Sequence, residues 1–116
     1  MSAKNKSKND IEILQEKLQS IKGREGIIGY ILRGSNSASI DLKDPTKIID
    51  YAVLSATSFE AGQDMSSMFE VDEVHTILLE GEGTKILSRV VNDHRLSIFM
   101  EKNVDHNKLS KDLNLA

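Results

Sequence analysis

The three histidines are the first candidates for chemistry, because imidazole is both a common metal ligand and a general base. His75, His94 and His106 fall on a predicted strand, in a predicted turn and at the start of a predicted helix. No two of them have the spacing of metal ligands on one element, and the chain has no cysteine to complete a zinc site. The sequence therefore predicts no metal site.

The stretch GEGTK, residues 81–85, superficially resembles a phosphate-binding loop. A true phosphate loop opens a helix, whereas this stretch lies between two predicted strands, where glycines mark a hairpin. The carboxylates Glu80, Glu82 and Asp93 cluster at hairpin ends, where solvated turns usually keep them. No G-x-S-x-G elbow occurs, and no nucleophile is paired with a base. We therefore predict no catalytic residue, no cofactor and no enzymatic activity.

Two methionines and a phenylalanine end the longest predicted helix. Met65, Met68 and Phe69 could form an adaptable binding surface, because methionine side chains are flexible and polarisable. Methionine more often fills gaps in a core, so we expect these three residues to close over the core at the end of the helix.

Length and composition limit the class of protein. With 116 residues and no cysteine, the chain is long enough for one domain with its own core, and it fits a reducing compartment, which we take to be the cytoplasm. No apolar run reaches the roughly 18 residues that span a bilayer, and no hydrophobic segment follows the basic N-terminus. We predict a disordered basic tail over residues 1–8, a single domain over 9–116 and no membrane insertion.

Charge argues against a nucleic-acid partner. The chain has 15 basic and 18 acidic residues, and Lys4, Lys6 and Lys8 lie in the tail. The remaining chain has 12 basic and 18 acidic residues, a net charge of −6 that repels phosphate backbones. Tryptophan is absent, so no aromatic platform for base stacking is evident.

Hydrophobic periodicity predicts the element order αββαβββα. A helix is expected over 10–22, strands over 26–33 and 37–43, a long helix from Pro45 to about 67, strands over 74–80, 85–91 and 95–101, and a short helix after Asp105. The first strand is apolar on both faces, which places it at the centre of a sheet covered by helices on both sides. The expected fold is α/β of the α+β type, with a five-stranded antiparallel sheet.

Two features predict a dimer. The third strand is apolar on both faces but is expected at an edge, with the fifth and fourth strands continuing the sheet outward from the first. An apolar edge invites pairing with another strand. The long helix has apolar residues over more of its circumference than one sheet face would use, including Tyr51, Leu54 and Phe59.

The chain resembles the roadblock/dynein light chain family of small α/β domains. The resemblance lies in the element order, in GIIGYILRGSNSASIDL, in the Ala-rich long helix and in VHTILLEGEGTKILSRVVNDHRLSIFM, and it covers about residues 9–115. It implies a dimer in which the two long helices pack side by side and the third strand pairs with its mate. It also implies an adaptor that binds or regulates small Ras-like GTPases or serves as a scaffold.

On this resemblance we predict a set of interface residues: Ala52, Val53, Ala56, Phe59, Glu60, Val74, His75, Thr76 and Ile77. The predicted function is a non-catalytic homodimeric regulatory or scaffold protein with a small Ras-like GTPase as its partner. A heterodimer with a related chain is a variant of the same hypothesis of a regulatory or scaffold protein. A small-ligand sensor or minor enzyme, with a cleft between the first strand and the long helix, is the alternative.

Overall fold

The computed structural model describes residues 9–70 and 72–115. The predicted disordered tail, residues 1–8, lies outside the described residues. Within them the elements follow the predicted order: α1 Asp10–Lys22, β1 Ile27–Arg33, β2 Ala38–Leu42, a 3₁₀ turn Pro45–Lys47, α2 Ile48–Met68, β3 Thr76–Glu80, β4 Thr84–Val91, β5 His94–Glu101 and α3 His106–Asp112.

Helix α1 begins at the predicted cap. The side chain of Asn9 accepts a hydrogen bond of 2.8 Å from the backbone N–H of Glu12, which satisfies one of the donors that a first turn leaves unpaired. Leu14, Leu18 and Ile21 follow at steps of three and four residues, and all three are buried. This apolar stripe packs α1 on the sheet.

The five strands form one antiparallel sheet in the order β2-β1-β5-β4-β3. The predicted fold class is confirmed, and β3 lies at the edge where it was expected. β1 is an interior strand, as predicted, although β5 occupies the middle position. The register between β1 and β5 shifts between Ile27 and Gly29.

Helices cover both faces of the sheet, as the apolar character of β1 predicts. Tyr30 and Leu32 of β1 belong to the core that contains α1 and α3 residues. Ile31 belongs to the core on the other face, against which Tyr51 and Ala52 of α2 pack. The alternating sides of one strand therefore contribute to two separate cores.

The long helix is preceded by a 3₁₀ turn, where the sequence predicts the first turn of the helix itself. Asp44 Oδ1 accepts hydrogen bonds from the hydroxyl of Thr46 at 2.6 Å and from its backbone N–H at 3.0 Å. These two hydrogen bonds hold the pKa of Asp44 below its usual value. Pro45 has no N–H to lose at this position.

Candidate interaction surface

Strand β3 offers an unpaired edge. It pairs with β4 on one side, and the described residues contain no strand on the other. The N–H of Val90 donates to the carbonyl of His75 at 3.0 Å. Because backbone groups alternate in direction along an antiparallel strand, Thr76 and Leu78 direct their N–H and C=O groups away from β4. This row of groups can pair with another strand.

Helix α2 buries a narrow face and exposes apolar side chains. Four of its residues are buried: Ser55, Ser58, Phe59 and Gly62. Ile49 is 77% exposed and Val53 is 59% exposed. With Ala56, they recur at steps of four and three residues and so lie on one flank of the helix. Exposed apolar side chains on one flank are typical of a surface that contacts another protein.

This flank of α2 runs toward β3. The flank continues from Val53 and Ala56 through Glu60 to Ser67, at steps of three, four and seven residues that keep to one helical face. At its far end, Ser67 lines a cavity of about 210 Å³ together with Val74 and His75, which precede β3. The far end of this flank therefore lies near the start of β3.

The nine predicted interface residues differ in exposure. Four are exposed: Val53, Glu60, His75 and Thr76. Four are half-buried: Ala52, Ala56, Val74 and Ile77. Phe59 is only 7% exposed, and the guanidinium carbon of Arg95 lies 5.4 Å from the centroid of its ring. Within one chain, Phe59 packs toward the sheet, whereas the exposed members are open to a second molecule.

Gly62 allows α2 to approach β3 closely. A Cβ atom at Gly62 would lie 2.6 Å from Ile77 Cδ1 and 3.4 Å from Val74 Cγ1. The helix continues through this residue to Met68, although glycine in a helix interior costs about 1 kcal/mol relative to alanine. Val74 lies near Gly62, and β3 begins at Thr76, two residues later than predicted.

Met65, Met68 and Phe69 do not close over the core, so that prediction was wrong. All three side chains are exposed, Met68 by 73%. Met68 lies six residues beyond the buried Gly62, which rotates it by about 120° away from the sheet-facing side. The three residues form an exposed apolar patch at the end of α2.

The small-ligand sensor considered as the alternative requires a cleft between β1 and α2, and side chains fill that space. Where β1 meets α2, Ile31 and Phe99 pack with Tyr51 and Ala52. The rings of Tyr51 and Phe99 are 4.5 Å apart between centroids. The 210 Å³ cavity lies instead between α2 and the start of β3.

The three histidines lie apart. His75 precedes β3, His94 Nδ1 donates to the carbonyl of Asn92 at 3.1 Å, and His106 Nδ1 lies 2.9 Å from Lys85 Nζ. In residues 9–70 and 72–115, no group of three or more His, Asp or Glu side chains is arranged to hold a metal ion. No helix in that part of the chain is long and apolar enough to cross a membrane.

Comparison with known proteins identifies the architecture. No protein-family model matches the sequence, and no curated protein matches it significantly. Among solved structures, a Roadblock/LC7 domain from Streptomyces avermitilis is similar with a TM-score of 0.67 and 15% identity, over 94% of this chain and 91% of that one. The chain has a roadblock fold. Myxococcus xanthus MglB shares the roadblock fold of this chain with a TM-score of 0.69 and 11% identity, over 94% and 88% of the two chains. A structure described as MglB with tetrameric arrangement is similar with a TM-score of 0.65 and 15% sequence identity, over 91% of this chain and 83% of that one.

In this roadblock fold, α2 rests on the sheet partly through serine hydroxyls, which the sequence did not predict. Ser55 Oγ lies 2.7 Å from Ser97 Oγ, Ser97 Oγ lies 2.9 Å from Ser88 Oγ, and Ser88 Oγ lies 3.0 Å from Ser58 Oγ. All four residues are buried. One feature of the sequence could have predicted these contacts. Ser88 and Ser97 interrupt otherwise apolar strands, at positions on the same face as Ile86 and Phe99.

Proposed function

We propose that this chain is a non-catalytic, cytoplasmic regulatory or scaffold protein that acts as a homodimer and binds or regulates a small Ras-like GTPase. The observation that carries the proposal is the unpaired β3 edge beside the exposed apolar flank of α2. The roadblock fold supports it, because the family resemblance of the sequence implies adaptors for such GTPases.

An antiparallel strand can pair with its own copy across a two-fold axis, since each strand then offers the other the same donors and acceptors. Thr76 and Leu78 supply those groups on β3. The two copies of the α2 flank, with Val53 and Ala56, would meet beside this pair. Strand pairing and helix packing together are expected to bury the ~1,200 to 2,000 Å² of a stable complex. The tetrameric arrangement of MglB supports self-association in this fold.

Sedimentation tests the dimer directly. At micromolar concentration the protein is expected to sediment with about twice the chain mass of 12.9 kDa. A monomer at that concentration would contradict the proposal, because an unpaired β3 edge would then be stable in solution.

A binding panel tests the partner. Purified small Ras-like GTPases, each loaded with GDP or with a non-hydrolysable GTP analogue, are titrated into the dimer. We expect at least one of them to bind, and we expect GTP alone neither to bind to the pure chain nor to be hydrolysed by it, because no phosphate loop is evident. Tight GTP binding by the isolated chain would contradict the adaptor assignment.

The 210 Å³ cavity between α2 and β3 favours one competing function, that of a small-ligand sensor. Native mass spectrometry of the purified protein distinguishes the two. A metabolite that stays bound and is displaced when Ser67→Trp fills the cavity would favour the sensor.

A further inference from the structure

Two arginines face each other across neighbouring strands. Arg33 of β1 lies directly opposite Arg95 of β5 in the antiparallel register. Like charges directly opposite one another destabilise a sheet. In the part of the chain that the structure describes, neither arginine forms an ion pair with a carboxylate. A pair of this kind is a place where a bound anion would relieve the repulsion.

Both guanidinium groups are on the α2 side of the sheet. Arg33 is two residues from Ile31 and Arg95 is four from Phe99, and both of those apolar residues belong to the core on that side. Side chains at even spacing on a strand share a face. The position of the Arg95 guanidinium over the ring of Phe59, on α2, agrees with this placement.

The pair lines an open concavity of about 400 Å³ at one end of the sheet. The other lining residues are Gly34 and Ser35, which follow β1, and Asp93, which lies in the turn between β4 and β5. Asp93 supplies the one carboxylate among these lining residues, so the concavity has a net charge of +1. Ser35 adds a hydroxyl that can donate to a ligand.

We propose that this concavity binds the phosphoryl group of a small phosphorylated molecule. Each guanidinium has a planar fork that pairs with two oxygens, and two forks with the Ser35 hydroxyl offer more donors than the two oxygens of a carboxylate can accept. A phosphoryl group presents three terminal oxygens in a tetrahedral arrangement and matches this set.

The proposed site does not depend on the dimer. Arg33, Gly34, Ser35 and Asp93 come from β1, the turn after it and the β4–β5 turn, whereas the proposed interface is at β3 and on the flank of α2. Arg95 also lies over Phe59 and lines the 210 Å³ cavity, so Arg33→Gln is the variant that tests the site alone. Loss of phosphate binding would leave the oligomeric state unchanged, and a monomeric protein could still bind phosphate. An experiment can therefore contradict the phosphate site without contradicting the proposed dimer, and the reverse.

Amide NMR with inorganic phosphate as the probe tests the site. At pH 7.4, with ionic strength held constant by chloride, phosphate is expected to shift the amide signals of residues 33–35 and 93–95 in a saturable way. Arg33→Gln changes an exposed side chain and should weaken phosphate binding at least tenfold. Arg95→Gln is a second variant with the same expected loss.

Arg89→Gln is the matched control. Arg89 lies opposite Leu96, whose side chain belongs to the core on the α1 side, so this change removes an arginine from the other face. Phosphate binding should be unchanged.

Methyl phosphate should bind as phosphate does if the ligand is a phosphate ester, and weaker binding would point to the free ion. The absence of saturable shifts, equal binding by Arg33→Gln, or acetate binding as tight as phosphate would each overturn the proposal.

Discussion

At the scale of single residues, the hydroxyls beneath α2 form a complete chain of donors and acceptors. Ser58 donates to the carbonyl of Ser55 at 2.8 Å, which leaves Ser58 Oγ as the acceptor for Ser88. Ser97 then donates to Ser88, and Ser55 donates to Ser97. Each hydroxyl donates once, so no buried donor in this chain lacks an acceptor. The network thereby specifies how α2 sits on the sheet.

Removing the central hydroxyl should destabilise the fold. Ser97→Ala deprives the Ser55 hydroxyl of its acceptor at a fully buried site, which is expected to cost about 1–3 kcal/mol. Urea unfolding at fixed protein concentration measures the loss. Ser20→Ala, on the exposed side of α1, is the control and should change the free energy of unfolding by less than about 0.5 kcal/mol. Equal stability of Ser97→Ala and the original chain would show that the network contributes nothing.

At the scale of elements, β3 differs from the other edge strand. β2 alternates exposed and half-buried residues before the buried Leu42, whereas β3 places the apolar residues Ile77 and Leu78 on opposite faces. Ile77 contacts α2 at Gly62, and Leu78 packs against the core on the α1 side. Both faces of β3 therefore contribute to packing, although Leu79 is 46% exposed. The outward row of backbone groups has no partner within the described residues.

Proline at position 76 should block that row and spare the fold. The N–H of Thr76 points away from β4, so Thr76→Pro removes an outward donor without removing a hydrogen bond of the β3–β4 ladder. His75, which would precede the proline, lies beside β4 because its carbonyl accepts from the N–H of Val90, and a proline favours extended backbone in the residue before it. We expect a folded protein by circular dichroism that sediments as a monomer. Thr76→Val keeps the N–H and should remain dimeric. A dimeric Thr76→Pro variant would exclude self-pairing of β3.

At the scale of the whole molecule, the proposed dimer would use α2 as well as β3. Ala56 is half-buried on the flank of α2 that runs toward the β3 edge. Ala56→Glu places a charge and extra volume in the proposed seam, twice by symmetry, and should cost several kcal/mol of dimer stability, on the order of what an unpaired buried charge costs. We expect a folded monomer that no longer captures a GTPase partner.

Ala61→Glu is the control for that change. Ala61 is exposed on α2, and five residues of helix rotate it by about 140° from Ala56, onto the other flank. This variant should stay dimeric. An Ala56→Glu protein that is folded, dimeric and competent for its partner would remove α2 from the interface. An Ala56→Glu protein that does not fold would show that Ala56 packs on its own sheet.

The order of elements could be read from the sequence because it depends on local periodicity. Leu14, Leu18 and Ile21 repeat at helical spacing, and the capping pair of Asn9 and Glu12 marks where that helix begins. The two apolar faces of β1 required cores on both sides of a sheet. The same pattern placed an apolar strand at the β3 edge, from which the predicted dimer follows. These features depend on residues within a few positions of each other.

The tertiary structure decided which distant residues meet. The pairing of Arg33 with Arg95 depends on the register of β1 against β5, which includes a shift after Ile27. The meeting of Ser55 with Ser97, and the exposure of Met68, depend on how far α2 is rotated about its axis as it crosses the sheet. A change of one residue in register or 100° in rotation would alter all of these contacts while leaving the hydrophobic pattern of each element intact. Local patterns therefore determined the elements, and only their packing together determined the sites.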